Sequence, residues 1–274
     1  MDSSREGFSL LIDPIFLSLG FLEIRWYSLM YLVGFGLIVF FVVREFKKQK
    51  KEQAFLDIIE NILFWMFLSG LLGGRLGYVF FYDLPFFFLY PERIFFPFDA
   101  TGDYVGISGM SFYGGVVGSS LTLFFLCWKR KISLWKISDM IVLYLPIALF
   151  FGRIGNFLNG ELYGRKTDIF WGIDFGDGIL RHPSQLYEAF FEGIILYSIL
   201  FFVKKRVKTE GILTVIFFIM YGVFRFFVEF FREPDVQIGY IFQWLSLGQI
   251  LSIGMIMIGF FFFFFLKKKE KMLL

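Results

Sequence analysis

The chain has 274 residues, of which 57% are hydrophobic and 23% aromatic, with Phe alone contributing 44. A water-soluble fold of this length cannot hide so much apolar surface, so composition alone makes the chain an integral membrane protein. The formal net charge is +3, and its basic runs abut apolar spans, which argues against nucleic acid as a partner.

Seven apolar windows follow one another, roughly at 24–43, 58–82, 105–128, 137–151, 185–203, 211–231 and 241–266. A spanning helix needs about 20 apolar residues, and only the fourth window is marginal. The expected fold is an all-α, polytopic membrane helix bundle of about seven transmembrane helices. No repeat or linker interrupts residues 1–274, which read as a single domain. The first 20 residues lack a basic stretch, an apolar core and a small-residue cleavage site in series, so the first span reads as permanent.

Orientation follows from the basic runs. Arg44, Lys47, Lys48, Lys50 and Lys51 come after the first span, and Lys129, Arg130, Lys131 and Lys136 after the third. Lys204, Lys205, Arg206 and Lys208 come after the fifth, and Lys267, Lys268, Lys269 and Lys271 after the last. The positive-inside rule puts these alternate loops and the C-terminus in the cytoplasm and the N-terminus outside. The segment from Asp83 to Asp103, with four acidic residues against Arg93 alone, suits an outer loop.

In the second span, Gly70, Gly73, Gly74 and Gly77 are spaced for close helix packing, as are Gly114 and Gly118 in the third. Cys127 has no cysteine to pair with and reads as a small packing residue. The run Phe260 to Phe265 reads as lipid-facing or core helix.

Charges inside the spans carry more information, because one at the bilayer centre costs about 2.5 to 3.5 kcal/mol even on the mildest scales. Gly152 to Arg165 reads GRIGNFLNGELYGR and sets Arg153, Asn156, Asn159, Glu161 and Arg165 within or beside apolar spans. Arg75 follows the glycine cluster of the second span. In the sixth, Arg225, Glu229 and Arg232 fall on one helical face that Tyr221 extends. An Arg225–Glu229 pair that only neutralises itself is the bland alternative. Counting Arg75, Arg153, Arg225 and Arg232 against Glu161 and Glu229 leaves a cationic surplus in the outer half of the bundle. Arg presents a planar fork that fits phosphate oxygens, so an anionic phospholipid head group is the expected ligand.

Other chemistries lack parts. The one histidine, His182, stands in RHPSQLYE, where Pro183 and Ser184 can start a helix, and reads as a hydrogen-bonding residue at that entry. There is no cluster at metal-ligand spacing and no GxSxG elbow, so no metal and no cofactor is expected.

GRIGNFLNGELYGR resembles the core motif of bacterial prolipoprotein diacylglyceryl transferases. Trp26-Tyr27, GGRLGYV from Gly73, GMSFYGG from Gly109, RHPSQLYE from Arg181, GVFRFFVEFFREPD from Gly222 and LSLGQILS from Leu245 resemble further blocks of that family in order. The resemblance implies transfer of diacylglyceryl from phosphatidylglycerol to the thiol of a prolipoprotein lipobox cysteine, with release of glycerol phosphate. It implies a monomer in the bacterial cytoplasmic (inner) membrane, with its active site on the outer side. It makes Arg153 the phosphatidylglycerol-binding residue, has Asn156, Glu161 and Gly164 shape the same motif, and lines the cavity with Tyr27, Tyr221, Arg225 and Glu229. Arg75 and Arg232 join the binding set as further cations.

The nucleophile then belongs to the protein substrate. A positive site would lower the thiol pKa from about 8.5, and Arg153 and Arg225 would stabilise the departing phosphate. Where the family often has His, this chain has Tyr113, a poor base at neutral pH with a reference pKa near 10. Either the base lies elsewhere, Glu161 or solvent, or the cationic site acidifies the thiol unaided, which is the preferred expectation. The stretch between Arg165 and Arg181 is shorter than the outer head common in the family. The rival readings are an anion or lipid transporter, which would call for inverted repeats that the sequence does not show, and a structural scaffold.

Overall fold

The computed structural model describes residues 8–9, 12–19, 22–50, 52–95, 109–233, 240–241 and 245–273. The start of the third apolar window, Asp99 and Asp103 of the acidic segment, and Pro234-Asp235 lie outside them. A long helix lies over each of the seven windows: α1 (Trp26–Lys48), α2 (Gln53–Phe81), α4 (Phe112–Arg130), α5 (Leu134–Leu158), the continuous helix Ser184–Lys204, α8 (Ile212–Val228) and α9 (Leu247–Leu273). A short α3 (Leu84–Leu89) follows α2. Five of these helices are long and apolar enough to cross a membrane, α1, α2, α5, Ser184–Lys204 and α9, with mean hydropathy from 1.7 to 2.3. In lipid a helix satisfies its own backbone polar groups, and this is why apolar sequence becomes helix here. The protein is a polytopic helical membrane protein.

The marginal fourth window belongs to a 25-residue helix that overruns it at both ends and carries Pro146 inside. The sixth window stops short: α8 ends at Val228 after 17 residues, and two tight turns follow, Phe230 N–H to Phe227 O and Phe231 N–H to Val228 O.

The chain forms two compact units, 1–42 with 138–274, and 43–137. In the first, α1 and α5 run antiparallel and touch through small residues. A Cβ on Gly34 would lie 2.9 Å from Ala148 Cα, and one on Gly155 3.0 Å from Tyr27 Cα. Farther along, the Phe41 and Tyr144 rings stack 5.3 Å apart. Helices α8 and α9 pack antiparallel in the same way, Gly222 against Ser252 and Gly259 against Ile219.

Hydrogen bonds define the two ends of this unit. At one, the Asp139 carboxylate near the start of α5 accepts from the backbone N–H of Gly211 (2.6 Å) and Thr214 (2.8 Å) and from Thr214 Oγ1 (2.7 Å), capping α8. At the other, the start of α1, the end of α5, the start of Ser184–Lys204 and the segment after α8 converge. Small strands leave that end: β1 (Phe8–Ser9), the hairpin β2–β3 (Ile15–Leu19, Leu22–Arg25), and the hairpin β4–β5 (Ile173–Asp174, Leu180–Arg181), with β1 parallel to β4.

In the second unit α2 and α4 meet along the predicted glycines. A Cβ on Gly73 or on Gly114 would fall inside the other's backbone, and Gly77 and Gly118 are nearly as close. Ser111 caps α4, its Oγ accepting from Gly114 N–H. Cys127 is buried, as expected of a packing residue. In the first unit, five of the six residues Phe260 to Phe265 are exposed on α9, a surface suited to lipid.

Candidate functional site

The polar centre of the first unit is built around a residue that the sequence reading passed over. Helix Ser184–Lys204 begins as α6 (Ser184–Glu188), widens into a π-helical segment (Ala189–Ile195) and continues as α7 (Leu196–Lys204). Such widened turns are rare and often mark functional sites. Glu188 closes α6 and Glu192 lies inside the π segment, both with fully buried side chains. Gly193 lets the helix approach α5, since a Cβ there would lie 2.7 Å from Phe150 Cβ.

Three arginines converge on these carboxylates. Arg153, in the last turns of α5, sets Nε 3.0 Å from Glu188 and one terminal nitrogen 3.7 Å from Glu192. Arg225, near the end of α8, pairs closely with the other oxygen of Glu188 and holds Glu229 at 2.9 Å. Arg232 reaches Glu188 at 3.8 Å. The arginine side chains keep 17%, 13% and 10% exposure, so the cluster is roofed but not sealed. Tyr221, buried and stacked on Phe217 at 5.6 Å, stands one turn before Arg225 within electrostatic reach of Arg153, Arg225 and Glu192.

The geometry corrects the charge count. Arg153, Arg225 and Arg232 face Glu188, Glu192 and Glu229, three positive groups against three acids, and the expected cationic surplus disappears when all are ionised. Glu188 and Glu192 stand four residues apart inside an apolar window, and that spacing was the available signal. The shared helical face also needs amending. Arg225 and Glu229 are paired as expected, but Arg232 lies beyond α8 in an antiparallel bridge with Gly164 and reaches the cluster by another backbone route.

The core motif is split between helix and loop. Arg153 and Asn156 lie in α5; beyond it, Glu161 accepts from Asn156 Nδ2 at 3.0 Å and Asn159 Nδ2 at 3.5 Å. Asn159 Oδ1 accepts from Tyr27 N–H at 3.3 Å, tying the motif to the start of α1, where the Tyr27 and Tyr31 rings lie 4.6 Å apart. Gln185 donates to Glu161 O at 2.8 Å. Gly164 sits where three strands of chain cross: its N–H donates to His182 O, Arg165 N–H donates to Phe231 O, and a Cβ on Gly164 would lie 2.6 Å from His182 O and 2.5 Å from Phe231 O. Only glycine fits that crossing, which gives the motif residue a physical reason.

The LSLGQILS block caps α9. Ser246 Oγ accepts from Gln249 N–H while Gln249 Oε1 accepts from Ser246 N–H, a reciprocal capping box. The same hydroxyl donates to Glu229 at 2.9 Å, and Gly248 lies against that carboxylate, where a Cβ would come within 2.6 Å.

His182 is a hydrogen-bonding residue at a helix entry, as read from sequence. Its carbonyl accepts from Gly164 and Ser184, and Nδ1 lies 3.2 Å from Tyr187 Oη. Burial holds it below the usual imidazole range.

Arg75 and Tyr113 belong to the second unit. Arg75 is buried in α2, and its guanidinium donates to Ile94 O (2.6 Å), Arg93 O (2.8 Å) and Gly109 O (3.1 Å), with Phe87 under it at 4.9 Å. These hydrogen bonds stitch loop backbone together. Tyr113 is half-exposed in the first turn of α4, its ring 5.8 Å from Phe112.

Comparison with known proteins matches residues 14–265 to the family described as prolipoprotein diacylglyceryl transferase. Among similar proteins, one of Ehrlichia canis is 46% identical over 92% of this chain and 95% of its own length. One of Campylobacter hominis is 44% identical over 90% and 88%, and one of Geobacter sulfurreducens 43% identical over 90% and 93%. Each of the three is called phosphatidylglycerol–prolipoprotein diacylglyceryl transferase. A match over residues 14–265, a span that includes every block quoted above, together with identities of 43–46% over about nine-tenths of the chain, means that the chain belongs to the prolipoprotein diacylglyceryl transferase family.

Proposed function

We propose that this protein transfers the diacylglyceryl group of phosphatidylglycerol to prolipoproteins, the first step of lipoprotein maturation. The acceptor is the lipobox cysteine. Its sulfur attacks the terminal glyceryl carbon, a C–S bond forms as the C–O bond to phosphate breaks, and glycerol phosphate leaves with both electrons of that bond. The thiol proton passes to a carboxylate or to solvent as the C–S bond forms, so glycerol phosphate leaves as the anion. The protein works as a multi-pass monomer of seven transmembrane helices in the bacterial inner membrane, N-terminus and site outward, C-terminus cytoplasmic. Residues 1–274 act as one transferase domain.

The observation that carries this reading is the arginine group of Arg153, Arg225 and Arg232, held in place on Glu188 inside an apolar helix bundle. Arginines fixed beforehand do not have to reorganise as charge gathers on the departing phosphate. Arg153 and Arg225 bind the phosphate of phosphatidylglycerol, with Arg232 behind them. Tyr221 and Tyr27 line the space, Asn156 and Glu161 hold the motif loop, Glu229 orients Arg225, and Gly164 permits the crossing that brings Arg232 in. Because the acids balance the arginines, unaided acidification of the thiol is a weaker argument than the sequence suggested. The buried carboxylates lie against the arginines, and a carboxylate is a better proton acceptor at neutral pH than a tyrosine hydroxyl.

The test is transfer of labelled glyceryl lipid from phosphatidylglycerol to a lipobox peptide by the purified protein, with cysteine and serine peptides compared. Label on the cysteine peptide alone is expected, and Arg153→Ala should abolish it while the protein still inserts and accumulates. Label on neither peptide with folded protein would overturn the reading in favour of a transporter. Normal transfer by Arg153→Ala would remove that residue from the mechanism.

A further inference from the structure

The turn between the core motif and the β4–β5 hairpin carries two aromatic residues, Phe170 and Trp171, that none of the site's chemistry uses. Its base is closed by the Lys166–Arg181 bridge and by Thr167 N–H to Leu180 O at 3.0 Å. Closed by Gly172 N–H on Ile169 O at 3.0 Å, the turn presents Phe170, 94% exposed, and Trp171, 49% exposed, with ring centroids 4.5 Å apart edge to face. A scattered exposed Phe needs no explanation. This pair is different because it is tethered: the Trp171 indole N–H donates to Tyr187 Oη at 2.6 Å, and Tyr187 lies in the first turn of a helix long and apolar enough to cross the membrane.

The tether sets the depth of the tip. Farther along that helix Phe190 and Ile194 are exposed at 47% and 48%, an apolar surface of the kind that lipid covers. The tip therefore sits where that lipid-covered surface begins, at the level of the membrane–water interface. Trp and Tyr are enriched at that level because an apolar ring and a polar N–H or O–H are both satisfied there. The indole N–H is already bonded to Tyr187, which leaves the ring to face lipid. A protein or peptide partner would need a concave surface to grip, whereas Phe170 projects from a turn. A fluid bilayer accepts a protruding ring without a matching shape.

We propose that the Phe170–Trp171 tip inserts into the interfacial layer of the bilayer and fixes the height of the hairpin over the membrane. The assignment depends on the membrane-crossing helix and is independent of the transferase reading.

A nitroxide label at Phe170→Cys, in a Cys127→Ala background, tests it with the full-length protein in phosphatidylethanolamine–phosphatidylglycerol vesicles. A label at Gly176→Cys, on an exposed glycine in the turn of the β4–β5 hairpin that follows, is the reference. Collision with dissolved oxygen and with a water-soluble nickel chelate is read by power saturation. The oxygen-to-nickel accessibility ratio at 170 should exceed that at 176 several-fold. Equal ratios place the tip in water and overturn the proposal. Low accessibility to both reagents places it against protein, and a water-accessible label that becomes protected only when a lipobox peptide is added makes it a peptide contact; either also overturns it. Quenching of the Trp171 share of fluorescence by brominated lipid, taken as the difference between the parent and Trp171→Phe, gives an independent reading should the labelled variant fail to insert.

Discussion

At the scale of single residues, Glu188 is the group on which the arrangement of the arginines depends. It is fully buried and receives Arg153, Arg225 and Arg232. Removing one partner of a buried pair leaves the other charge uncompensated, at a cost of about 3–5 kcal/mol. Glu188→Gln keeps the shape and removes the charge, so the arginines lose their common anchor while Glu229 still holds Arg225. Misplacing a reacting geometry by about 1 Å is enough to cost on the order of 100-fold in rate. Transfer to the cysteine peptide is expected to fall by about that factor in Glu188→Gln, with the protein still inserted. A rate within a few-fold of the parent would refute the anchoring role. Residue types were largely legible in the sequence: an arginine or glutamate inside an apolar span announces itself. What sequence could not supply was partnership. Glu188 and Glu192 were in plain view in an apolar window, but only folding shows that they face Arg153 and Arg225 from another helix. Nor could sequence show that the Arg75 guanidinium donates to three loop carbonyls.

At the scale of elements, a long helix lies over each of the seven windows, and a helix is the structure in which a single segment satisfies its own backbone in lipid. Their ends were less legible, since an end depends on side chains that arrive from elsewhere. The start of α8 is capped by Asp139, which belongs to α5 and lies 72 residues away from Gly211 in sequence. Losing a cap costs about 0.5–2 kcal/mol. Asp139→Ala should therefore lower the thermal midpoint of the detergent-solubilised protein by a few degrees and speed amide exchange at 211–214. Unchanged exchange there would show that the cap is not holding the helix start. The hairpin at the other end has its own electrostatic closure. Arg181 donates twice to Asp177, at 2.9 and 2.7 Å, and also reaches Glu233. The Arg181 hydrogen bonds hold the Asp177 carboxyl below its usual range, near 3.9, and raise Arg181. A carboxyl depressed in the folded state stabilises it above the unfolded pKa, and that contribution is lost as pH falls through the folded value. Amide protection at Gly176, Gly178 and Ile179 should thus hold from neutral pH down to about 4 and decline below it. In Asp177→Asn the decline should be absent, with protection lower throughout. Protection that does not change with pH would mean that turn hydrogen bonds alone close the hairpin.

At the scale of the whole molecule, fold class and family were legible from composition and motif order, and orientation is the property that the sequence argues most directly. Of the 27 Lys and Arg, 17 cluster after alternate apolar windows, at helix ends or just beyond them, and lysine and arginine near span ends set topology because they resist translocation. The two ends of the first unit offer reporters for that argument. Asp174 belongs to the hairpin beside the arginine cluster, whereas Arg206 follows α7 in a basic run. Single cysteines at Asp174→Cys and Arg206→Cys, with Cys127→Ala removing the native thiol, would be treated in intact cells with a membrane-impermeant maleimide. Label is expected at 174 before lysis and at 206 only after it. The reverse pattern would turn the arginine cluster toward the cytoplasm and contradict transfer at the outer face even if purified protein were active on lipobox peptide. Label at both sites before lysis would mean that helix Ser184–Lys204 does not cross the membrane. The segment between the two positions contains a single membrane-crossing helix, Ser184–Lys204, so opposite labelling of 174 and 206 follows directly if that helix spans.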